Sequence, residues 1–341
     1  MNPRIDSSSD DARRNLAWLY ENAGPIIRWR LVSDFGLPVA ETKKDLASAL
    51  VKHPDVQRWL GNVGSKNLFA GGVHGSKDVY AGNAMGKLYE YGVRQGMIPE
   101  LDDKVHEYFR CFGNDKGSWS ANLIAPFIIG LGYVDNPTIK EWFSARLDSV
   151  HEFVTQGEDI YLSEEEMKSG PKSWQGKRIF RTRGDDPALP SSFEFMALGR
   201  WPHTKATRSK SEKVISFLCD PDAPPGKGYV RDAKTNAIYA TGMPTLRDVM
   251  TSRILMTMEV LAIFDSGKSC PWFKKNLADF EDYRSEDGRY LLPKGYMNEK
   301  RDSYYLYMGA HMGLGENRRT KRWVEIESTF RVMNISRLLE V

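Results

Sequence analysis

Cysteine is sparse in this 341-residue chain: Cys111, Cys219 and Cys270 are widely spaced, odd in number and without a C-x-x-C pair. That excludes a disulfide framework or a zinc knuckle as the basis of folding and marks reduced, mostly buried thiols. Long apolar runs are lacking too. No stretch of about 18 uncharged apolar residues exists, so no helix is expected to cross a bilayer. Charge of one sign is nearly absent: 48 basic against 45 acidic side chains leave +3, too little to call for a nucleic-acid or membrane partner. Residues Met1 to Asp11 are polar and lack the apolar centre of a signal peptide, so a cytoplasmic protein is expected. The sequence also lacks a phosphate-binding G-x-x-x-x-G-K-[ST], a dinucleotide G-x-G-x-x-G, a zinc-binding H-E-x-x-H and a G-x-S-x-G elbow. No metal and no cofactor is therefore expected.

Core material is plentiful. Fifteen Phe, 15 Tyr and 9 Trp, in a chain long enough to bury roughly 75% of its unfolded surface, exclude a disordered protein. Length alone allows about two domains or one large one. No low-complexity linker divides the chain, so residues 16–341 read as a single domain after a flexible 1–15 N-terminus.

What recurs is a helical segment, a Gly/Pro-rich loop, then another helical segment. Leu46, Leu50 and Val51 give one face of a helix over 44–51, and a weaker helix, interrupted by Gly82, Gly86 and Gly92, spans 80–95. An amphipathic helix at 102–112 precedes an apolar one at 118–132, which Pro126 is expected to kink. Ile139, Trp142, Phe143, Leu147 and Val150 form the face of the next. The alternation continues with short apolar 189–201, amphipathic 209–218, apolar 248–264, mixed 272–283 and a last helix at 321–339. Strand signals are confined to 177–182, 228–231 and 289–292, read as small hairpins in loops. Pairs of an inner and an outer helix recurring every about 55 to 65 residues are too long for the units of an open solenoid. The expected fold is all-α: an (α/α)6-type toroid of helical hairpins around a central, largely apolar cavity.

Two stretches carry a family resemblance. After the 272–283 helix comes Arg284-Ser285-Glu286-Asp287-Gly288-Arg289-Tyr290, similar to the Gln-x-x-Asp-Gly-x-Trp that follows outer helices in the terpenoid cyclase and protein prenyltransferase superfamily, with Arg for Gln and Tyr for Trp. Phe217-Leu218 followed by Gly228-Tyr229 is a weaker echo. The resemblance implies the α/α toroid. The Asp-x-Asp-Asp proton donor and the Asp-Asp-x-x-Asp magnesium motif of its members are absent, and their zinc set finds no counterpart in these cysteines, which implies diverged chemistry.

Two loops place a histidine among glycines before an inner helix: Gly71-Gly72-Val73-His74-Gly75 and Gly309-Ala310-His311-Met312-Gly313. Imidazole exchanges protons near neutral pH, so His74 and His311 are the candidate proton carriers. Asp186, in the Arg181–Pro187 cluster, and Glu325 are candidate carboxylate partners, and Tyr80 a candidate donor. Glu325 and Glu327, two apart on the last helix, cannot share a face, so one of them faces the interior. Asp78, Trp119, Asp185, Tyr305 and Tyr307 are candidate substrate contacts. Their null alternatives are turn-holding hydrogen bonds, salt-bridged loops and aromatic packing, and the basic runs at 318–322 and 205–213 read as solvated faces. The reading is an acid-base enzyme (cyclase, isomerase or lyase) acting on a small, mainly hydrophobic molecule, without nucleic acid, and with homo-oligomerisation open. A carbohydrate-active toroid with paired carboxylates and a non-catalytic binding protein are the alternatives.

Overall fold

The computed structural model describes residues 10–64, 70–112, 119–156, 160–181, 189–223, 227–231, 238–297 and 313–340. It is 67% helix and 3% strand, which makes the chain all-α. The first helices are α1 (Asp10–Asn22), α2 (Pro25–Phe35), α3 (Lys43–Lys52), α4 (Pro54–Asn62) and α5 (Ala70–Val73). Then come α6 (Ala81–Glu90), α7 (Pro99–Tyr108), α8 (Trp119–Gly130), α9 (Pro137–Thr155) and α10 (Glu164–Ser169). The second half holds α11 (Ser192–Leu198), α12 (Lys205–Cys219), α13 (Ile254–Leu261), α14 (Asp265–Ser269), α15 (Pro271–Glu281) and α16 (Arg322–Leu339).

Local chemistry sets the boundaries. Proline opens α2, α4, α7, α9 and α15, where its missing N–H costs nothing. Thr42, Asn136, Ser163, Ser191 and Thr204 cap the first turns that follow them. Gly36, at φ 65°, ends α2 in the left-handed conformation that glycine tolerates best. The expected helices are present with shifted ends. α1 begins at Asp10, inside the stretch expected to be flexible, and its Asn15 donates to the Gly288 carbonyl at 2.9 Å. α8 continues through Pro126.

The helices divide into two kinds. α3, α7, α9, α12 and α15 bury one face, whereas every residue of α11 and almost every residue of α6 is buried. α16 is buried from Trp323 to Ser336 with Glu325 as the one exception. Among the buried helices α6 packs on α8, α8 on α11, α11 on α13 and α13 on α16. α2 reaches the end of α6 through Arg30, which donates to the Glu90 carbonyl at 3.2 Å, the turn after α6 through the Trp29 indole on the Gly92 carbonyl at 2.9 Å, and α16 through Phe35, edge-on to Phe330. The one-faced α9 lies on α12, and α12 on α14. A buried Arg146–Glu194 pair at 2.8 Å fastens α9 to α11.

A small sheet orders β1 (Ile179–Phe180), β2 (Lys227–Arg231) and β3 (Ile238–Gly242). β1 and β2 were expected as separate loop hairpins. They pair in parallel instead, Ile179 with Tyr229, and β3 completes an antiparallel edge. The 289–292 stretch contributes one bridge, Arg284 to Tyr290. Among the described residues no helix is long and apolar enough to cross a membrane.

Gly267 tests how tightly α13 meets α14. A Cβ there would lie 2.3 Å from the Leu261 carbonyl oxygen, which is backbone and cannot swing aside. Gly267→Ala is expected to lose about 1–3 kcal/mol of stability, read as a lower urea midpoint at unchanged m-value.

Candidate functional site

Polar residues on α6 and α16 recur with the same spacing: Asn83, Lys87 and Glu90 on one, Glu327, Arg331 and Asn334 on the other. Steps of four and three place each trio on one helical stripe. Such a stripe usually faces water. Here all six residues are buried, and the stripes face each other. Arg331, with no exposed surface, forms an ion pair from Nη1 with Glu90 Oε2 at 2.6 Å and donates to Glu259 Oε1 of α13 at 3.2 Å. Asn334 Nδ2 donates to the same Glu259 oxygen at 3.0 Å, and its Oδ1 accepts from Arg337 Nη2 at 2.9 Å. On α2, Arg30 donates from Nε to Asp34 at 2.8 Å and from Nη1 to the Glu90 carbonyl at 3.2 Å, with its guanidinium over the Phe330 ring. One connected network thus joins α2, α6, α13 and α16.

A cavity of about 290 Å³ opens beside it. Its charged lining is Arg30, Arg94, Arg200 and Arg337 against Asp34 and Glu259. Tyr89 lies between two guanidiniums, Arg200 at 3.6 Å and Arg94 at 4.7 Å from its ring centre. The hydrogen bonds of Arg94 go to the Tyr89 and Val93 carbonyls, at 3.0 and 2.9 Å. Arg337 Nε is buried with no hydrogen-bond partner among the described residues. Burial lowers the pKa of Arg94 and of Arg337, and the positive charges of Arg30 and Arg200 add to the effect at Arg94. At Asp34 burial opposes the charge, but Arg30 and Arg94 outweigh it and hold the carboxyl below its usual value. The lining residues come from the C-terminal parts of α2, α6, α13 and α16 and from the residues after α11. Helix C-termini carry partial negative charge, and the arginines complement it.

The expected site lies elsewhere. His74 follows α5, half-buried, with its ring edge-on to Phe193 at 5.6 Å, and burial lowers its pKa. Phe193 is in the first turn of α11 and Tyr80 caps α6, so this loop sits at helix N-termini, away from the cavity. Asn83 donates to the Gly75 and Lys77 carbonyls, both at 2.9 Å, and fixes the loop. The Tyr80 ring lies over Gly75, where any Cβ would meet it at 2.2 Å. Asp78 has one carboxylate oxygen buried in the same loop. Trp119 is the first residue of α8. His311, Asp185, Asp186, Tyr305 and Tyr307 lie outside the described residues.

Glu325 does not face the interior. It pairs with Arg289 at 2.8 Å near the surface, and Glu327 is the acid of the two that is buried. Glu327 accepts from the Leu314 amide at 2.9 Å and from Arg318 at 3.1 Å, while Lys87 donates to the Gly313 carbonyl. Burial pushes the Glu327 carboxyl up to about 7 against the opposing pull of Arg318, the Leu314 amide, Lys87 and Arg331. Arg318 also stacks on Trp323 at 3.6 Å, and Arg208 pairs with Glu212 at 3.1 Å, so both basic runs contribute to packing.

Sequence reasoning passed over Arg30, Asp34, Glu90, Arg94, Arg200, Glu259 and Arg337. Their signal was a charge inside an apolar segment, as Glu259 stands in Ile254-Leu255-Met256-Thr257-Met258-Glu259-Val260-Leu261. Among the described residues no group of three or more His, Cys, Asp or Glu is placed to hold a metal ion. No protein family, curated protein or solved structure matches this chain.

Two measurements test these clusters. Arg331→Met strands Glu90 and Glu259 without their cation and is expected to cost roughly 3–5 kcal/mol in urea denaturation. Glu327 binds its proton more tightly folded than unfolded, so its contribution is present below about pH 4.5 and lost as pH rises through about 7. Wild-type stability should therefore fall across that window by an amount on the order of 3 kcal/mol that Glu327→Gln does not show.

Proposed function

We propose that the chain is an (α/α)6-type toroid that binds a small anionic molecule in the cavity at the C-terminal mouth of its inner helices. The order of contacts supports the toroid: α2, α6, α8, α11, α13 and α16 succeed one another, and α2 touches both α6 and α16. The Asp287-Gly288 turn follows α15 and leads to α16, as the superfamily resemblance implies, with Tyr290 buried and its amide donating to Thr329 at 3.0 Å.

The observation that carries the binding reading is the charge of the lining. Four guanidiniums face two carboxylates, and two of the four, Arg94 and Arg200, lie over the Tyr89 ring. Guanidiniums held half out of water by an aromatic face suit a carboxylate or phosphate group, which they bind in pairs of hydrogen bonds. A volume near 290 Å³ is at the small end of ligand sites, so the molecule is a small metabolite. A polar lining favours an anion over the mainly hydrophobic substrate read from the sequence. Asp34 and Glu259 are engaged by arginines and aim them, which makes both poor proton carriers. The His74 loop lies away from the cavity, so the reading is one of binding and gives His74 no part in it.

Isothermal titration of the chain with dicarboxylates, phosphate monoesters, neutral polyols and isoprenoid-like apolar molecules tests the reading. One anionic class is expected to bind, and Arg94→Gln or Arg200→Gln to weaken it about ten- to a hundredfold. Binding of the apolar molecules alone, or anion binding indifferent to both substitutions, would overturn it.

A further inference from the structure

The two carboxylates of the cavity lining are not equally occupied. Both oxygens of Asp34 are taken, Oδ2 by Arg30 Nε at 2.8 Å and Oδ1 by the Ser33 hydroxyl at 2.7 Å. Glu259 is held by one oxygen alone. Its Oε1 accepts from Arg331 Nη1 at 3.2 Å and from Asn334 Nδ2 at 3.0 Å, whereas its Oε2 accepts no hydrogen bond from any described residue. That oxygen is not sealed in the core, and Glu259 lines the cavity.

α16 supplies the groups that fix this arrangement. Arg331, Asn334 and Arg337 follow one another at three-residue steps, so they lie along one stripe of the helix. The first two fill both lone pairs of Glu259 Oε1, which pins the carboxylate on its α16 side and leaves Oε2 as the open acceptor. The Asn334 Oδ1 meanwhile accepts from Arg337 Nη2 at 2.9 Å. One amide thus joins an open anionic acceptor to a cation on the same wall. On α6's side of the cavity, only the Nη1 of Arg94 is engaged among the described residues, by the Tyr89 and Val93 carbonyls, so its remaining N–H groups are open to a ligand.

Granted the anion site proposed above, on which this step rests, an acid group settles on the arginines and a ligand filling the cavity displaces water from Oε2. An ionised oxygen that loses water without gaining a donor is costly, and a second acid group there would be repelled. We infer that the ligand carries, close to its acid group, a hydroxyl or ammonium that donates to Glu259 Oε2, and that Glu259 sets the specificity of the cavity. α-Hydroxy acids, α-amino acids and hydroxylated phosphate monoesters have this arrangement. Simple dicarboxylates and alkyl phosphates lack it and leave Oε2 bare.

Isothermal titration of the full chain compares matched anions that differ in the donor: malate and aspartate against succinate, and glycerol phosphate against propyl phosphate. Malate and aspartate distinguish a hydroxyl from an ammonium as the donor. In the wild-type chain the donor-bearing member of a pair is expected to bind about ten- to a hundredfold more tightly than its counterpart. Glu259→Gln keeps the shape and, with the amide oxygen on Arg331 and Asn334, turns an N–H₂ toward the ligand's donor, so the preference is expected to vanish. Arg94→Gln should weaken both members of a pair alike and keep the preference. The wild-type comparison stands by itself should Glu259→Gln not fold. Equal binding of matched members to the wild type, or a preference that survives in folded Glu259→Gln, would overturn the donor assignment and leave the anion site in place. Failure of every anion to bind removes the site and the assignment together.

Discussion

The pairing of Arg331 with Glu90 and Glu259 is the constraint around which the buried helices are arranged. It joins α16 to α6 and α13 at once, and Arg30 extends it to α2 through the Glu90 carbonyl. An apolar interior could slide by small steps at little cost. A guanidinium shared between two carboxylates cannot, because each lost contact leaves a charge stranded away from water. Register between α6 and α16 is set the same way. Lys87 and Glu90 face Glu327 and Arg331 in matching order across long side chains, so the two helices point the same way.

Such a network is not the most stable way to fill a core. Well-packed apolar side chains in place of a buried ion pair are often neutral or stabilising, since desolvation offsets much of the attraction. Its presence here is better understood together with the cavity. Asp34 holds Arg30, which lines the cavity with Arg94, Arg200 and Arg337, while Glu259, also in the lining, holds the fully buried Arg331. The network fixes the directions of the guanidiniums before any ligand arrives, which reduces the ordering cost of binding. Stability lost in burying charge is converted into a preorganised, net-positive surface.

The sequence showed the helices plainly and the centre poorly, and both follow from the same rule. Period and capping residues are local, so Pro137 after Asn136 or Ser191 three residues before Glu194 mark helix starts wherever the helix ends up. Which face is buried is not local. On α16 the spacing of Ile326, Phe330 and Met333 is that of a packing face, but nothing local marks the stripe of Glu327, Arg331 and Asn334 as buried too. In the structure neighbours cover both sides, and the polar stripe is as buried as the apolar one. Glu325 and Glu327 show the limit at single-residue scale. Their two-residue spacing required opposite orientations, yet only the position of Arg289, distant in sequence, decides that Glu325 is the outer one.

The two ends of the inner helices therefore carry different chemistry for a reason that precedes any particular ligand. N-termini offer unpaired amides and partial positive charge, and the loop with His74 sits there, held by Asn83 and roofed by Tyr80. C-termini offer carbonyls, and the chain answers with arginines: Arg94 on the Tyr89 and Val93 carbonyls, Arg200 on that of Pro126. Neutralising carbonyl dipoles takes only part of a full positive charge. The remainder faces the cavity, whose four arginines outnumber its two carboxylates. A wall of arginines recruited first to finish helices thus keeps a net positive charge, which is why the ligand proposed for it is an anion.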